Sequence, residues 1–349
     1  MPMGKRNPEI FLAATDELGV FINQKASGLY TALRAPAGAR TGAGDTYTEY
    51  FARHHLGPRL FFSIQNSAHI LYQAVRRCGK PLTEINAIDY GAGLGTLFLL
   101  GGLLGFRRFD YNDHLPEWQD TARQVSERIG SQVTNYVTGD VEAVSAFAES
   151  HGFTYDLVLS RNVLEHIYSL PHFYKTLYRH NPKAVVYGST TANYHNPLMR
   201  IYHYRIHAKA ERSHYFRQRR QEISRSSTGL SSEAIYQLAR QTRGLAGADF
   251  SQAVEVLKAG RPLPHDPTLR SNTCDCINGV WCEHLLKRNE YEKIITEAGY
   301  RMDYSAGFWD THYPNVLMNF GARLLNRCIG RLGPRKAVVL SPFINIEAY

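Results

Sequence analysis

Three glycines alternate along the stretch AIDYGAGLGT: Gly91, Gly93 and Gly95. Glycines where a strand turns into a helix let a nucleotide-like ligand approach the backbone. A dinucleotide turn needs G-x-G-x-x-G, and Thr96 stands where its third glycine belongs. Asp89, two residues before Gly91, is a second departure. A carboxylate there repels a pyrophosphate and welcomes a ligand that carries an ammonium group. The next strand ends in FDYND, which places Asp113 18 residues after Gly95. TGDVE then brings Asp140 and Val141 to a turn, and DLVLSRNVLEHI brings Arg161, Asn162, Glu165 and His166 to the next. A carboxylate at Asp113 can accept hydrogen bonds from both hydroxyls of a ribose, and Asp140 can meet an adenine amino group. The competing readings are structural: Asp89 as a buried acid capping the turn, and Asp113 as a cap of the helix that follows.

S-adenosylmethionine fits this pattern, because it carries an ammonium and a sulfonium but no phosphate. A glycine turn alone is unspecific, so the flanks decide. AIDYGAGLG, DHLPEWQDTAR, TGDVE and DLVLSRNVLEHI, in that order, resemble the class I S-adenosylmethionine-dependent methyltransferases. The resemblance is to the broad group that includes ubiquinone-pathway and sugar methyltransferases. It covers about residues 84–190, with a weaker echo in CEHLLKRNEYEKIITEAGY. It implies that Asp89, Gly91 and Gly93 contact the methionine part of the cofactor, with Ala92 and Gly95 completing the turn. It further implies that Asp113 binds the ribose with His114 beside it, that Asp140 and Val141 flank the adenine, and that Arg161 and Asn162 sit near the methyl end.

Methyl transfer is an in-line displacement, so alignment matters more than heavy chemistry. A hydroxyl acceptor also needs a base or a metal to draw off its proton. Glu165 and His166 are candidates. Some quinone-pathway relatives use such a pair, with an acid three residues earlier, to bind a divalent cation. Here that earlier position is Asn162, which leaves orientation of the following helix as the preferred reading. His195 follows the fifth strand and is the second candidate base. His203, His207 and Glu211 are spaced four apart and would share a helix face. They could hold a metal or a polar acceptor, although a solvated face is the commoner outcome. Cys274, Cys276, Cys282 and His284 are too irregularly spaced for a structural zinc site. No metal is assigned.

These residues need elements to carry them. Residues 1–83 read as an N-terminal helical lid, with helices over 46–54 and 60–77 and a loop over 35–44. Residues 84–190 alternate strand and helix, with strands at 87–90, 109–112, 133–138, 155–160 and 184–188 and helices at 96–104 and 116–129. Such alternation predicts an α/β fold, a doubly wound and mostly parallel Rossmann-like sheet. Residues 191–275 read as a basic helical insertion capping the acceptor site. Residues 276–349 complete the core, with a helix at 283–298 stopped by Gly299, a strand at 301–308, a helix at 315–332 and a last strand at 337–346.

The chain has 349 residues and a net charge of +9. Residues 199–225 hold eight Lys or Arg against two Glu, interleaved with Tyr202, Tyr204, Tyr215 and Phe216. That face suits a hydroxylated or anionic acceptor such as a glycan or nucleotide-sugar, with a small-molecule quinone or lipid precursor as the alternative. It also suits peripheral contact with an anionic membrane, whereas no nucleic-acid-binding module is present. The first residues lack a signal-peptide pattern, and no apolar run reaches the ~18 residues of a membrane span. Five cysteines do not describe a disulfide framework, which predicts a cytoplasmic protein with reduced thiols. A non-catalytic, methyltransferase-like binding or assembly subunit is the rival from another class.

Overall fold

The computed structural model of the protein describes residues 10–34, 57, 59–264 and 273–349. Seven strands form one sheet: β1 (Asn86–Asp89), β2 (Arg108–Asp113), β3 (Tyr136–Thr138), β4 (Leu157–Arg161), β5 (Val185–Thr190), β6 (Met302–Ala306) and β7 (Ile344–Ala348). Their order is β3-β2-β1-β4-β5-β7-β6. β1 to β5 run parallel, and β7 is antiparallel to both its neighbours, β5 and β6. This is the doubly wound, mostly parallel α/β sheet expected from the alternation.

Every residue of β5 is buried, as are residues 157–160 of β4. Strands that read as continuous apolar runs need cover on both faces. Side chains alternate between those faces. Ala87, Leu157 and Val185 enter one core with Ile22, Ile64, Leu97 and Ala122. Ile88, Val158 and Val186 enter the other with Val144, Phe173 and Ile295. The first core is roofed by helices Glu17–Arg34, Leu60–Cys78, Thr96–Gly101 and Glu117–Ile129. The second is roofed by Val141–Ser150, Leu170–His180 and Arg288–Ala298. The helices Glu17–Arg34 and Leu60–Cys78, read from sequence as part of a lid, thus share the sheet's own core. The helix expected at 46–54 and the loop at 35–44 lie outside the described residues.

Between β5 and β6 the chain inserts helices Pro197–Ala210, Phe216–Ser226, Ser232–Gln241 and Gly247–Lys258, with a π-helical turn at Glu211–Tyr215. Ile223, Leu238, Ala239, Phe250, Val254 and Cys276 give the insertion a small core of its own.

Two sequence expectations shift. The helix expected from 283 begins at Arg288, because the preceding chain is held extended: His284 N–H donates to Glu165 O at 2.7 Å. Residues 337–340 belong to helix Pro334–Leu340 and the strand begins only at Ile344, since Pro334 fits the first helical turn. Gly299 does end its helix, in the left-handed conformation at φ 112°. Among the described residues no helix is long and apolar enough to cross a membrane.

Candidate functional site

The chain winds outward from β1 to β2 and β3, then returns to place β4 on the other side of β1. A crevice therefore opens past the carboxyl ends of β1 and β4, where ligands of such sheets bind. Asp89 ends β1 and Arg161 ends the neighbouring β4.

The glycine turn lines this crevice. Gly91 (φ 67°) and Gly93 (φ 50°) are left-handed, a conformation that costs other residues about 1–2 kcal/mol. A side chain at Gly91 would also meet Val163 at 2.7 Å, whereas at Gly93 the nearest atom is Asp113 Oδ2 at 3.9 Å. Gly93 thus presents open backbone. Asp113, at the end of β2, accepts Gly93 N–H on Oδ2 and Leu115 N–H on Oδ1, both at 2.9 Å. Burial raises its pKa, and those amides oppose the shift. Each carboxylate oxygen keeps a second lone pair for a ligand hydroxyl.

Asn112, which sequence reasoning passed over, ties the rim together. Its Oδ1 accepts Gly91 N–H at 3.3 Å, and its Nδ2 donates to Val137 O at 3.0 Å and Gly139 O at 2.9 Å. One amide on β2 thereby ties the loop after β1 to the end of β3 and the turn that follows it. Asp140 is exposed and caps helix Val141–Ser150 by accepting Ala143 N–H at 3.2 Å, with Val141 buried behind it. His114 is exposed beside Asp113.

Asp89 is buried, and its Oδ2 has no hydrogen-bond partner. Burial pushes its carboxyl well above the usual range, while the Arg161 guanidinium and the Phe98 amide pull it down. Arg161 points inward. Its Nη1 donates to Ser63 Oγ at 2.7 Å, Ser63 O at 3.1 Å and Thr96 Oγ1 at 3.3 Å. Burial pulls its pKa down to about 10 against the opposing pull of Asp89. Thr96, in place of the dinucleotide glycine, thus closes a hydroxyl cluster with Ser63 and Ser67.

The β4–β5 rim carries the acceptor candidates. Asn162 is left-handed at φ 54° and clasps the strand ends: its N–H donates to Ser189 O at 2.7 Å, and its Oδ1 accepts Thr191 N–H at 3.2 Å. Glu165 is buried with Oε2 unpartnered, and burial raises its pKa while His166 opposes. His166 Nδ1 lies 2.9 Å from Cys282 O, which places its proton there and leaves the lone pair on Nε2. His195 is engaged differently. Its Nε2 accepts Arg288 N–H at 3.1 Å, so the nitrogen that would take a proton is committed to a helix terminus. Burial lowers its pKa, and Arg288 adds to the shift.

Helix Pro197–Ala210 brings His203 and His207 onto this rim, both buried. Glu211 does not join them. It opens the π-helical turn and pairs with fully buried Arg219, accepting also from Thr273 Oγ1 at 2.6 Å. Its place is taken by Glu283, whose Oε2 lies 2.9 Å from His207 Nε2. Cys274, Cys276 and Cys282 are buried, with Cys282 Sγ 3.3 Å from His284 Nε2. Trp281 holds φ 56°, rare for a bulky residue, with its ring exposed and edge-on to His166 at 5.5 Å.

No family model and no curated protein matches the chain. Solved structures do. An S-adenosylmethionine-dependent methyltransferase of Clostridium acetobutylicum is 12% identical over 42% of this chain and 57% of its own, with TM-score 0.34. Magnesium protoporphyrin IX methyltransferase of Synechocystis, solved with bound SAH, is 12% identical over 87% of this chain and 94% of its own, with TM-score 0.39. A putative methyltransferase of Haloferax volcanii, in complex with the Trm112 methyltransferase activator, is 13% identical over 88% and 98%, with TM-score 0.41. The chain thus spans little more than half of the first of these.

Proposed function

We propose that the protein binds S-adenosylmethionine in the β1–β4 crevice and transfers its methyl group to an oxygen of a small or medium acceptor. The observation that carries this reading is Asp89: a buried carboxylate with an unsatisfied oxygen, beneath a turn of left-handed glycines. Unsatisfied buried acids are costly, and an ammonium group would relieve this one. Asp113 would hold the ribose with its remaining lone pairs. Val141 would lie against the adenine, with Asp140 at its edge.

The cofactor would supply a methyl carbon activated by sulfonium, open to in-line displacement by an acceptor oxygen with the thioether as leaving group. The chain's task is to align the two and remove a proton. Asn162 fixes the rim between the two ligands. His166 receives the acceptor proton on Nε2, while the Cys282 carbonyl holds its ring. Trp281 offers an exposed face on which a sugar or other ring can stack. Arg212, Arg217 and Arg220 are exposed on the insertion and would attract an anionic acceptor.

Labelled cofactor incubated with fractionated metabolites tests this reading. Label is expected in a hydroxyl-bearing product, with turnover lost in His166→Ala while cofactor binding stays. Charge reversal at Arg212, Arg217 and Arg220 should raise the acceptor KM only. Cofactor binding without transfer to any fraction would favour the non-catalytic subunit. A lipid or quinone-precursor acceptor is the second reading. It is favoured by the exposed apolar face Val316, Leu317, Phe320 and Leu324 on helix Val316–Arg331, which also carries Arg323 and Arg327. Label partitioning into the lipid phase selects it.

A further inference from the structure

We propose that His203, His207 and Glu283 form a binding site for one divalent transition-metal ion, zinc being the best match. Each contributes a ligand atom, and these atoms lie within 4.8 Å of one another. Around one ion with bonds of about 2.1 Å, such atoms stand about 3.4 Å apart. Small side-chain rotations therefore close the site. Two imidazoles and a carboxylate are the donor set of zinc sites that keep one position open.

Three independent features support it. His207 is 1% exposed on its side chain; its Nδ1 has no hydrogen-bond partner, while its Nε2 lies 2.9 Å from Glu283 Oε2. A metal bond would satisfy a nitrogen that is otherwise orphaned at a cost. His203 Nε2 lies 2.9 Å from Thr191 O, so that nitrogen carries the proton and Nδ1 the lone pair. Ligating histidines are oriented by such a carbonyl. The other oxygen of Glu283 faces His166 Nδ1 at 3.6 Å, so both carboxylate oxygens point at imidazoles of this rim. A cation would neutralise a carboxylate whose side chain is only 14% exposed. An ion here would polarise an acceptor hydroxyl; that role, unlike the binding, rests on the methyl-transfer reading.

The test uses the full-length protein stripped with chelator and dialysed against limiting zinc, without cofactor. Elemental analysis should find one ion per chain. His203→Ala and Glu283→Gln should each weaken binding by about 100-fold or more, since even outer-shell changes cost about 10–100-fold. Cys274→Ser with Cys282→Ser should leave it unchanged. Cobalt in the wild-type protein gives a readout that needs no variant to fold: d–d absorption without thiolate charge transfer is expected. Absence of stoichiometric zinc, unchanged binding in the His203 and Glu283 variants, or a thiolate band would overturn the assignment.

Discussion

Gly91 and Gly93 look alike in the sequence but are built differently. A methyl group at Gly91 meets Val163 in a left-handed backbone, so Gly91→Ala should destabilise the protein and be visible in thermal melts. Gly93 faces open space, so Gly93→Ala should cost only about 1–2 kcal/mol of stability and yet block the cofactor. Equal losses of stability in both would contradict that distinction. Asp113→Asn turns an amide toward one of two backbone N–H donors, Gly93 or Leu115. Charge-assisted hydrogen bonds are worth about 1.5–3 kcal/mol each, so cofactor affinity should fall about 10-fold or more in calorimetry. The glycines, Asp89 and Asp113 were legible because each sits at a fixed distance from a strand end. Asn112 was not, because its three bonds reach the turn after β1 and the end of β3, which sequence alone does not bring together. Glu283 was illegible for the same reason: spacing nominated Glu211, which Arg219 and Thr273 draw away, and the carboxylate that arrives comes from beyond the insertion.

The strand–helix alternation over residues 84–190 could be read because short, mostly apolar or alternating segments such as β4 and β5 stand between turn residues and helical stretches. The C-terminal elements were less legible. AVVL at 337–340 has the composition of a strand, but Pro334 and the burial of Ala337 and Val338 make it a helix. The helix at Arg288 starts late because residues beside Glu165 stay extended. The insertion depends on Arg219, which is fully buried and donates to Ala239 O at 3.0 Å as well as to Glu211. Its charge therefore belongs to the interior and not to the basic face read from sequence. Removing one partner of a buried pair costs about 3–5 kcal/mol. Arg219→Leu should raise amide hydrogen exchange across residues 216–258 while β1 and β4 stay protected. Uniform exchange across the sheet would show that the insertion does not unfold on its own.

The whole molecule couples these parts through helix Leu60–Cys78, which carries Ser63 at the site and His69 against Phe308. Burial pulls the His69 pKa from 6.5 down to about 4. The folded state keeps this ring neutral where the unfolded chain takes a proton. Its stabilising effect is therefore complete above pH 6.5 and is lost as pH falls toward 4, at up to about 1.4 kcal/mol per unit. His69→Phe should flatten the melting temperature between those limits; an unchanged acid slope would exclude this ring as the cause. The net charge of +9 and the composition bounded the class of partner only broadly, because charge describes a surface and not a site. Titration calorimetry with S-adenosylmethionine probes the crevice past β1 and β4. One-site binding by the wild-type protein is expected, with its loss in Asp89→Ala and Asp113→Ala, both still folded. No binding by the wild type, or unchanged affinity in both variants, would contradict cofactor binding in this crevice.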